Sequence, residues 1–323
     1  MKGYTLTEKS KKNLRVLKLF LISLLFVGIA LSIAIIGCNY VINRNFKETF
    51  YSVSSLKVND KIRVIQLSDL HNCAYGKDNK KLISRIKKLK PDLIIYTGDI
   101  MDEDSKSNER TYHVCETLAK VAPSFYVYGN NEVKEYYDNP LTRKSLDKKF
   151  GFNEKNRDPN KLLEETDAFE KNLESLGVKV LKNSAETITI GTTQVDIYGV
   201  LTSNPSSFWP YAGESFGQYL YTNGENLKIT AIHEPLIFKT YEPDFWGDLM
   251  LAGHTHGGVI KIPIIGPLYV PDIGFFPERE GHFAYGRFDV QGRPLIVNGG
   301  LENKNLLRIN NQPEITVIDI NKF

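Results

Sequence analysis

IRVIQLSDLH, residues 62–71, sets how the rest of the chain is read. A largely apolar run of strand length ends directly on Asp69 and His71, with no turn residues between. Such a run reads as a buried strand. Its polar pair then lies just past the carboxyl end, the edge where open α/β sheets bind ligands. The same grammar recurs downstream. DLIIYTG (92–98) ends on Asp99, and SFYVYG (124–129) ends on Asn130. LKITAIH (227–233) delivers His233, and DLMLAGH (248–254) delivers His254, with His256 two residues on.

Between the first two runs, Leu82, Ile83, Ile86 and Leu89 recur at helical spacing with lysines on the other face, which predicts a helix over 78–90. Strand, helix, strand in that order implies a parallel pair joined by a right-handed crossover. Further helices are expected near 108–120 and 160–176, the latter closing a charged insertion over 134–176. Strands resume as VKVLKN, ETITI and TQVDIYGV, and RFDV, LIVN and EITVIDI finish the chain. The stretch 259–276, VIKIPIIGPLYVPDIGFF, reads as a loop. Its Ile264, Ile265, Leu268, Tyr269, Phe275 and Phe276 either cover the core or form an apolar wall or membrane-facing rim beside the site. The expected fold class is α/β, a four-layer αββα sandwich of two mixed sheets flanked by helices.

Four of the six histidines fall in these strand-end pieces. With two carboxylates and one amide they are enough to hold two divalent ions. Asp-x-His and His-x-His put both side chains on one face of an extended segment, because strand side chains alternate. Asp99 is placed to bridge ions about 3.5–4 Å apart. Oxygen and nitrogen donors suit manganese, iron or zinc, and the lack of thiolates argues against a closed structural zinc site. Taken singly the pieces are weak: Gly-Asp and Gly-Asn are ordinary turn dipeptides, and a lone histidine is more often a hydrogen-bonded one. Their joint occurrence, each after an apolar run, is what points to metal. His113 falls on an expected helix and His282 in a glycine-flanked loop, so both read mainly as structural or solvated.

At the other end, LFLISLLFVGIALSIAIIGC (19–38) carries no charge over a length that suits a helix crossing about 30 Å of hydrocarbon. A cleaved signal peptide has a shorter apolar core of about 7–15 residues. Ile35-Ile36-Gly37-Cys38 resembles a lipoprotein processing site, so cleavage or lipidation at Cys38 is the rival reading. Residues 1–18 hold +5 of the chain's net +3, which leaves the remainder at −2 and shows no nucleic-acid surface. Basic residues before the span predict a single-pass protein of the cell membrane, with a cytoplasmic N-terminus and an extracytoplasmic domain. The expected division is a basic tail (1–18), a transmembrane anchor (19–38), a linker (39–60) and a catalytic domain (61–323). Three cysteines give no disulfide framework.

SDLH, YTGDI, YGNNE, IHEP and LAGHTHGG, in that order from about residue 60 onward, resemble the calcineurin-like metallophosphoesterases, and within them the membrane-associated bacterial phosphodiesterases of YkuE/YaeI type. The resemblance implies two mixed sheets flanked by helices. It implies that Asp69, His71 and His256 bind one ion, that Asn130, His233 and His254 bind the other, and that Asp99 bridges both. It also implies a hydrolase of phosphodiester or pyrophosphate links, with a hydroxide between the metals as nucleophile. One position departs from the family: Asn131 stands where the pattern has a histidine that contacts phosphate and assists the leaving group. An amide cannot deliver a proton near neutral pH. Two outcomes therefore stand, an enzyme slowed at that step or a weakened envelope protein that binds metal or phosphate. The anchor makes a lipid-linked or envelope-derived substrate the expected class.

Overall fold

Alternating side chains sort this chain into layers. In β2 (Ile62–Leu67), Ile62 and Val64 face one way and Ile65 and Leu67 the other, all buried. In β3 (Leu93–Thr97) and β4 (Ser124–Val127), Leu93, Ile95, Phe125 and Val127 take the first side, and Ile94, Tyr96 and Tyr126 the second. The computed structural model describes residues 8–102, 107–132, 159–201, 224–240, 247–271, 273–303 and 308–323.

These strands belong to a six-stranded sheet of order β1-β15-β2-β3-β4-β5, completed by β1 (Lys47–Ser55), β5 (Val178–Val180) and β15 (Glu314–Lys322). The run β2, β3, β4, β5 is parallel throughout, and β15 is antiparallel to β2. A second six-stranded sheet has the order β13-β14-β9-β8-β7-β6. Its members are β6 (Ser184–Ile190), β7 (Thr193–Gly199), β8 (Leu227–Ala231), β9 (Leu249–Ala252), β13 (Gly286–Val290) and β14 (Arg293–Val297). The core between the sheets joins Val64, Ile95, Phe125 and Val127 to Val195, Ile197, Ile229, Leu251 and Ile296. Inside it, Gln66 Nε2 donates to Thr97 Oγ1 and to the carbonyl of Ala252, tying one sheet to the other.

On the outer face of the first sheet lie α2 (Lys80–Leu89), α3 (Glu109–Ala119) and α4 (Pro159–Ser175), the helices expected over 78–90 and near 108–120 and 160–176. Leu82, Ile83, Ile86 and Leu89 are the buried face of α2, as the periodicity requires. On the outer face of the second sheet, the described residues show one short helix, α5 (Ile237–Thr240), whose Phe238 packs with Met250, Leu295 and Val297. The first part of the insertion, 133–158, lies outside the described residues.

Two stretches differ from expectation. Residues 39–60, read as a linker, contain β1, which pairs in parallel with β15 from Lys47↔Glu314 to Ser55↔Lys322. An edge strand is held by backbone hydrogen bonds and buries little; among its nine residues only Val53 is buried, so its composition reads as polar chain. The stretch 259–276 is a small antiparallel sheet of β10 (Ile260–Ile262), β11 (Gly266–Val270) and β12 (Gly274–Phe275).

The N-terminal residues form a separate unit. Its helix α1 runs from Glu8 to Asn43, and Lys12–Asn43 is long and apolar enough to cross a membrane. The helix is longer than the apolar run that announced it. Cys38 is exposed on it, whereas Cys73 and Cys115 are buried thiols in the other unit.

Candidate metal centre

Every sequence-selected donor comes to one place, the carboxyl ends of β2, β3, β4, β8 and β9. The local geometry differs from the alternation argument, however. Asp69, His71, Asp99, His254 and His256 all have positive φ, between 45° and 70°. They are turned residues past the strand ends, not extended ones, so period-2 spacing does not explain their convergence. Each such conformation costs about 1–3 kcal/mol and persists only where neighbours over-determine it. Here they do. The N–H groups of Asp69, His71 and Asn72 donate to the carbonyls of Gly98, Asp99 and Ile100 at 3.0–3.1 Å, zipping two metal loops together. Gly253 N–H donates to the His233 carbonyl, and Leu301 N–H to that of Ser68. A Cβ on Gly129 would overlap the Asp99 carboxylate, and one on Gly253 would overlap Ser68, so only glycine lets these loops close.

Asp69, His71 and His256 form one triad whose donor atoms all lie within 4.8 Å of one another. His256 Nε2 is 3.4 Å from Asp69 Oδ1, and the rings of His71 and His256 stack at 5.3 Å. Among the described residues, Asp69 Oδ1 and His71 Nε2 are buried with no hydrogen-bond partner. Two bare buried donors aimed into one gap are what a cation site requires, since unpaired buried polar atoms otherwise cost stability.

Asn130, His233 and His254 form the neighbouring cluster. Asn130 Oδ1 is 3.1 Å from His233 Nε2 and 2.9 Å from His254 Nδ1. The Thr97 carbonyl, 2.7 Å from His233 Nδ1, accepts a hydrogen bond from Nδ1–H and leaves Nε2 facing the site. Asp99 lies between the clusters, its Oδ2 3.4 Å from His233 Nε2 and 3.8 Å from His71 Nε2. Burial opposes the Asp99 carboxylate, but the charge and hydrogen bonding of His233, with help from His71 and the Asn131 N–H, hold its pKa below the ordinary carboxylate range. Burial likewise opposes the His233 imidazolium, and Asp99 overrides it and raises its pKa. His256 is the opposite case: burial first, then His71 and Arg308, push its pKa well down.

Several contributing groups escaped the sequence reading. Glu132 is fully buried and accepts from the backbone N–H of Asp99 (3.0 Å), Gly129 (2.9 Å) and Met101 (3.0 Å), clamping the Asp99 and Asn130 loops. Burial and the nearby Asp99 charge push its carboxyl up to about 7. Glu302 lies 3.5 Å from His256 Nδ1, and Glu234 lies 3.7 Å from His254 Nε2. Buried Arg308 donates to the carbonyls of His256 and Gly299. Glu132 and Glu234 stand inside the YGNNE and IHEP pieces, so their adjacency to donors was the available signal. Glu302 and Arg308 had none. Asn131 Nδ2 is 3.0 Å from His71 Nδ1, and its N–H donates to Asp99. His113 is exposed on α3, and His282 lies beside Lys239 and Glu280.

The family model described as calcineurin-like phosphoesterase matches residues 62–258, from the first residue of β2 to the glycine pair after His256. The chain belongs to that family. The Bacillus subtilis protein named uncharacterized metallophosphoesterase YkuE is 29% identical over 81% of this chain and 79% of its own length. The Escherichia coli phosphodiesterase YaeI is 27% identical over 72% of this chain and 71% of its own. A Chlamydia muridarum protein named UDP-2,3-diacylglucosamine pyrophosphatase LpxG is 25% identical over 80% of this chain and 83% of its own. This calcineurin-like chain is thus a metal-dependent phosphoester hydrolase. Two divalent ions are its cofactors, and the group of Asp69, His71 and His256 and that of Asp69, Asp99 and His233, each with donor atoms within 4.8 Å of one another, fit them.

Proposed function

We propose that this protein is a membrane-anchored phosphoesterase acting on phosphodiester or pyrophosphate links. The convergence of seven donor residues, with Asp99 between the other six, carries the reading. In this assignment Asp69, His71 and His256 hold one ion, Asn130, His233 and His254 hold the other, and Asp99 holds both. Two ions so held supply Lewis acidity toward phosphoryl oxygens and make a water nucleophilic at neutral pH. The chain's own groups do the rest. Thr97 fixes the tautomer of His233, Glu132 fixes the Asp99 and Asn130 loops, and Glu302 orients His256.

Helix α1 is the proposed anchor, the basic tail before it stays in the cytoplasm, and the catalytic domain, here from about Asn45, lies outside. The likeness to a pyrophosphatase named for a diacylated sugar nucleotide supports a lipid-linked or envelope-derived substrate. Protease added to intact spheroplasts should remove the domain; protection until lysis would place it inside. Turnover of the purified chain on bis-aryl and mono-aryl phosphates, with manganese, iron and zinc varied, tests the activity. Metal bound at both sites with no turnover on either substrate would favour the second reading, a weakened metal- or phosphate-binding envelope protein, which rests on Asn131 replacing the family's histidine.

A further inference from the structure

The metal centre and the start of the catalytic domain share one edge. Lys47, the first residue of β1, pairs with Glu314, whose N–H donates to the Gly300 carbonyl, and the N–H of the adjacent Leu301 donates to the Asp69 carbonyl. Helix α1 ends at Asn43, so one intervening residue separates it from Asn45, a reach of about 7 Å. The first domain residues are pinned: Phe46 packs edge-on to Tyr75, and Asn45 accepts from Lys81. The point at which α1 is attached to the domain is therefore on the edge that carries the candidate metal ligands.

The β10–β11 hairpin leaves that same edge. It begins two residues after the Gly257-Gly258 pair that follows His256. At its base Lys261 lies against the ring of Tyr285, the tyrosine whose hydroxyl accepts from Lys47. Its tip, Pro263-Ile264-Ile265, has Ile264 fully exposed and Ile265 46% exposed, and on the same small sheet Phe275 is 67% exposed. Ile264 has a φ of 71°, a costly conformation for a β-branched residue. Lysines 77, 80 and 81, all exposed, stand where the chain enters α2 at this edge. Residues 77–81 carry three lysines against one aspartate at this edge.

We propose that the tip of the β10–β11 hairpin, with Phe275 beside it, enters the interfacial layer of the bilayer that α1 spans, turning the metal centre toward lipid headgroups. The inference rests on the reading of α1 as an anchor. Large apolar side chains exposed on one rim, next to lysines that complement anionic headgroups, are the chemistry of interfacial binding. A water-exposed tip would leave Ile264 and Ile265 with no gain to offset their exposure.

The test uses the full chain in nanodiscs of phosphatidylcholine and phosphatidylglycerol. A spin label at Ile264→Cys is read against one at Lys120→Cys, both on a Cys38→Ser background, since Cys73 and Cys115 are buried. The label at 264 should be relaxed more by lipid-soluble oxygen than by an aqueous nickel chelate, and the label at 120 should show the reverse. An aqueous signature at 264 overturns the proposal. So does a label equally immobilised in detergent together with a dimer mass, which would assign the tip to a second copy. Carbonate extraction of the chain from the discs identifies the different failure, loss of the anchor itself. Ile264→Asp with Ile265→Asp should lower kcat/KM about tenfold on an alkyl-chain nitrophenyl phosphodiester embedded in the discs. The same variant should stay within about twofold on soluble bis(nitrophenyl) phosphate. Equal losses on both substrates would mean a purely structural hairpin.

Discussion

The two halves of the metal centre solve the same problem in opposite ways. Around Asp69, His71 and His256, Asp69 Oδ1 and His71 Nε2 are buried and accept or donate no hydrogen bond among the described residues. Around Asn130, His233 and His254, the donors close on one another, and His233 is ion-paired to Asp99. The first half spends stability to hold an open cradle. In the second, those contacts would have to open, and a proton leave His233, for a metal to be held there. The halves should therefore differ in affinity and in pH response, with Asp99 the group that makes them one site.

Breaking that shared group should have the largest effect. Asp99→Asn removes a carboxylate placed between both halves, and loss of several kcal/mol of charge stabilisation corresponds to about 10³-fold or more in kcat/KM. Metal analysis should show both ions weakened, whereas His256→Ala should weaken mainly the first. One ion at saturation in the native chain, with Asp99→Asn unaltered, would dissolve the two-half description.

Asn131 sharpens the contrast from the first half, where it faces His71 Nδ1. If a histidine here assists the leaving group, Asn131→His should raise rates on alkyl phosphodiesters by up to about 10²-fold and change nitrophenyl esters little. The native chain should show the steeper dependence of rate on leaving-group pKa, and the variant the flatter one. Parallel plots would mean that Asn131 serves only to orient His71.

The pH response separates the halves directly. His233 has a raised folded pKa, so its pair with Asp99 adds stability to the metal-free chain that is complete below about pH 6.5 and lost as pH rises through the folded value. Metal must displace that proton, so affinity of the second half should rise with pH, by up to about tenfold per unit below the folded pKa. His256 has a depressed pKa and is already neutral there, so the first half should respond less. Calorimetry in buffers of different ionisation enthalpy reads the proton released with each ion. Equal release at both steps would contradict the difference.

The smallest expected effect concerns the carboxylates behind each histidine. Glu302 is buried beside His256, and Glu234 is partly exposed beside His254. Glu302→Gln should reduce affinity at the first half about tenfold, and Glu234→Gln should reduce the second only a few-fold, because solvent screens the exposed group. Competition with a metal chelator, run on both variants, decides the order.

Much of this could be read along the chain, because burial on both sides of a sheet writes itself into short apolar runs. IRVIQL, LIIYT, SFYV, LKITA and LMLA could be placed as strands, with Asp69, Asp99, Asn130, His233 and His254 after their ends. The helical spacing of Leu82, Ile83, Ile86 and Leu89 gave α2 its buried face. The donor chemistry and the anchor-length apolar run were equally local facts. What the chain did not reveal depends on partners far away in sequence. β1 exists because β15, some 260 residues later, offers it a backbone edge, and backbone pairing leaves no mark on composition. The left-handed turns at the candidate ligands are held by hydrogen bonds between separate loops, so strand alternation does not account for their convergence. Glu132, Glu302 and Arg308 matter only through the loops that packing brings to them. Sequence determined which atoms are available for metal and on which strand ends they ride. Tertiary structure alone decided which donors stand bare and which bond to each other, because that depends on distances between segments that no local pattern encodes.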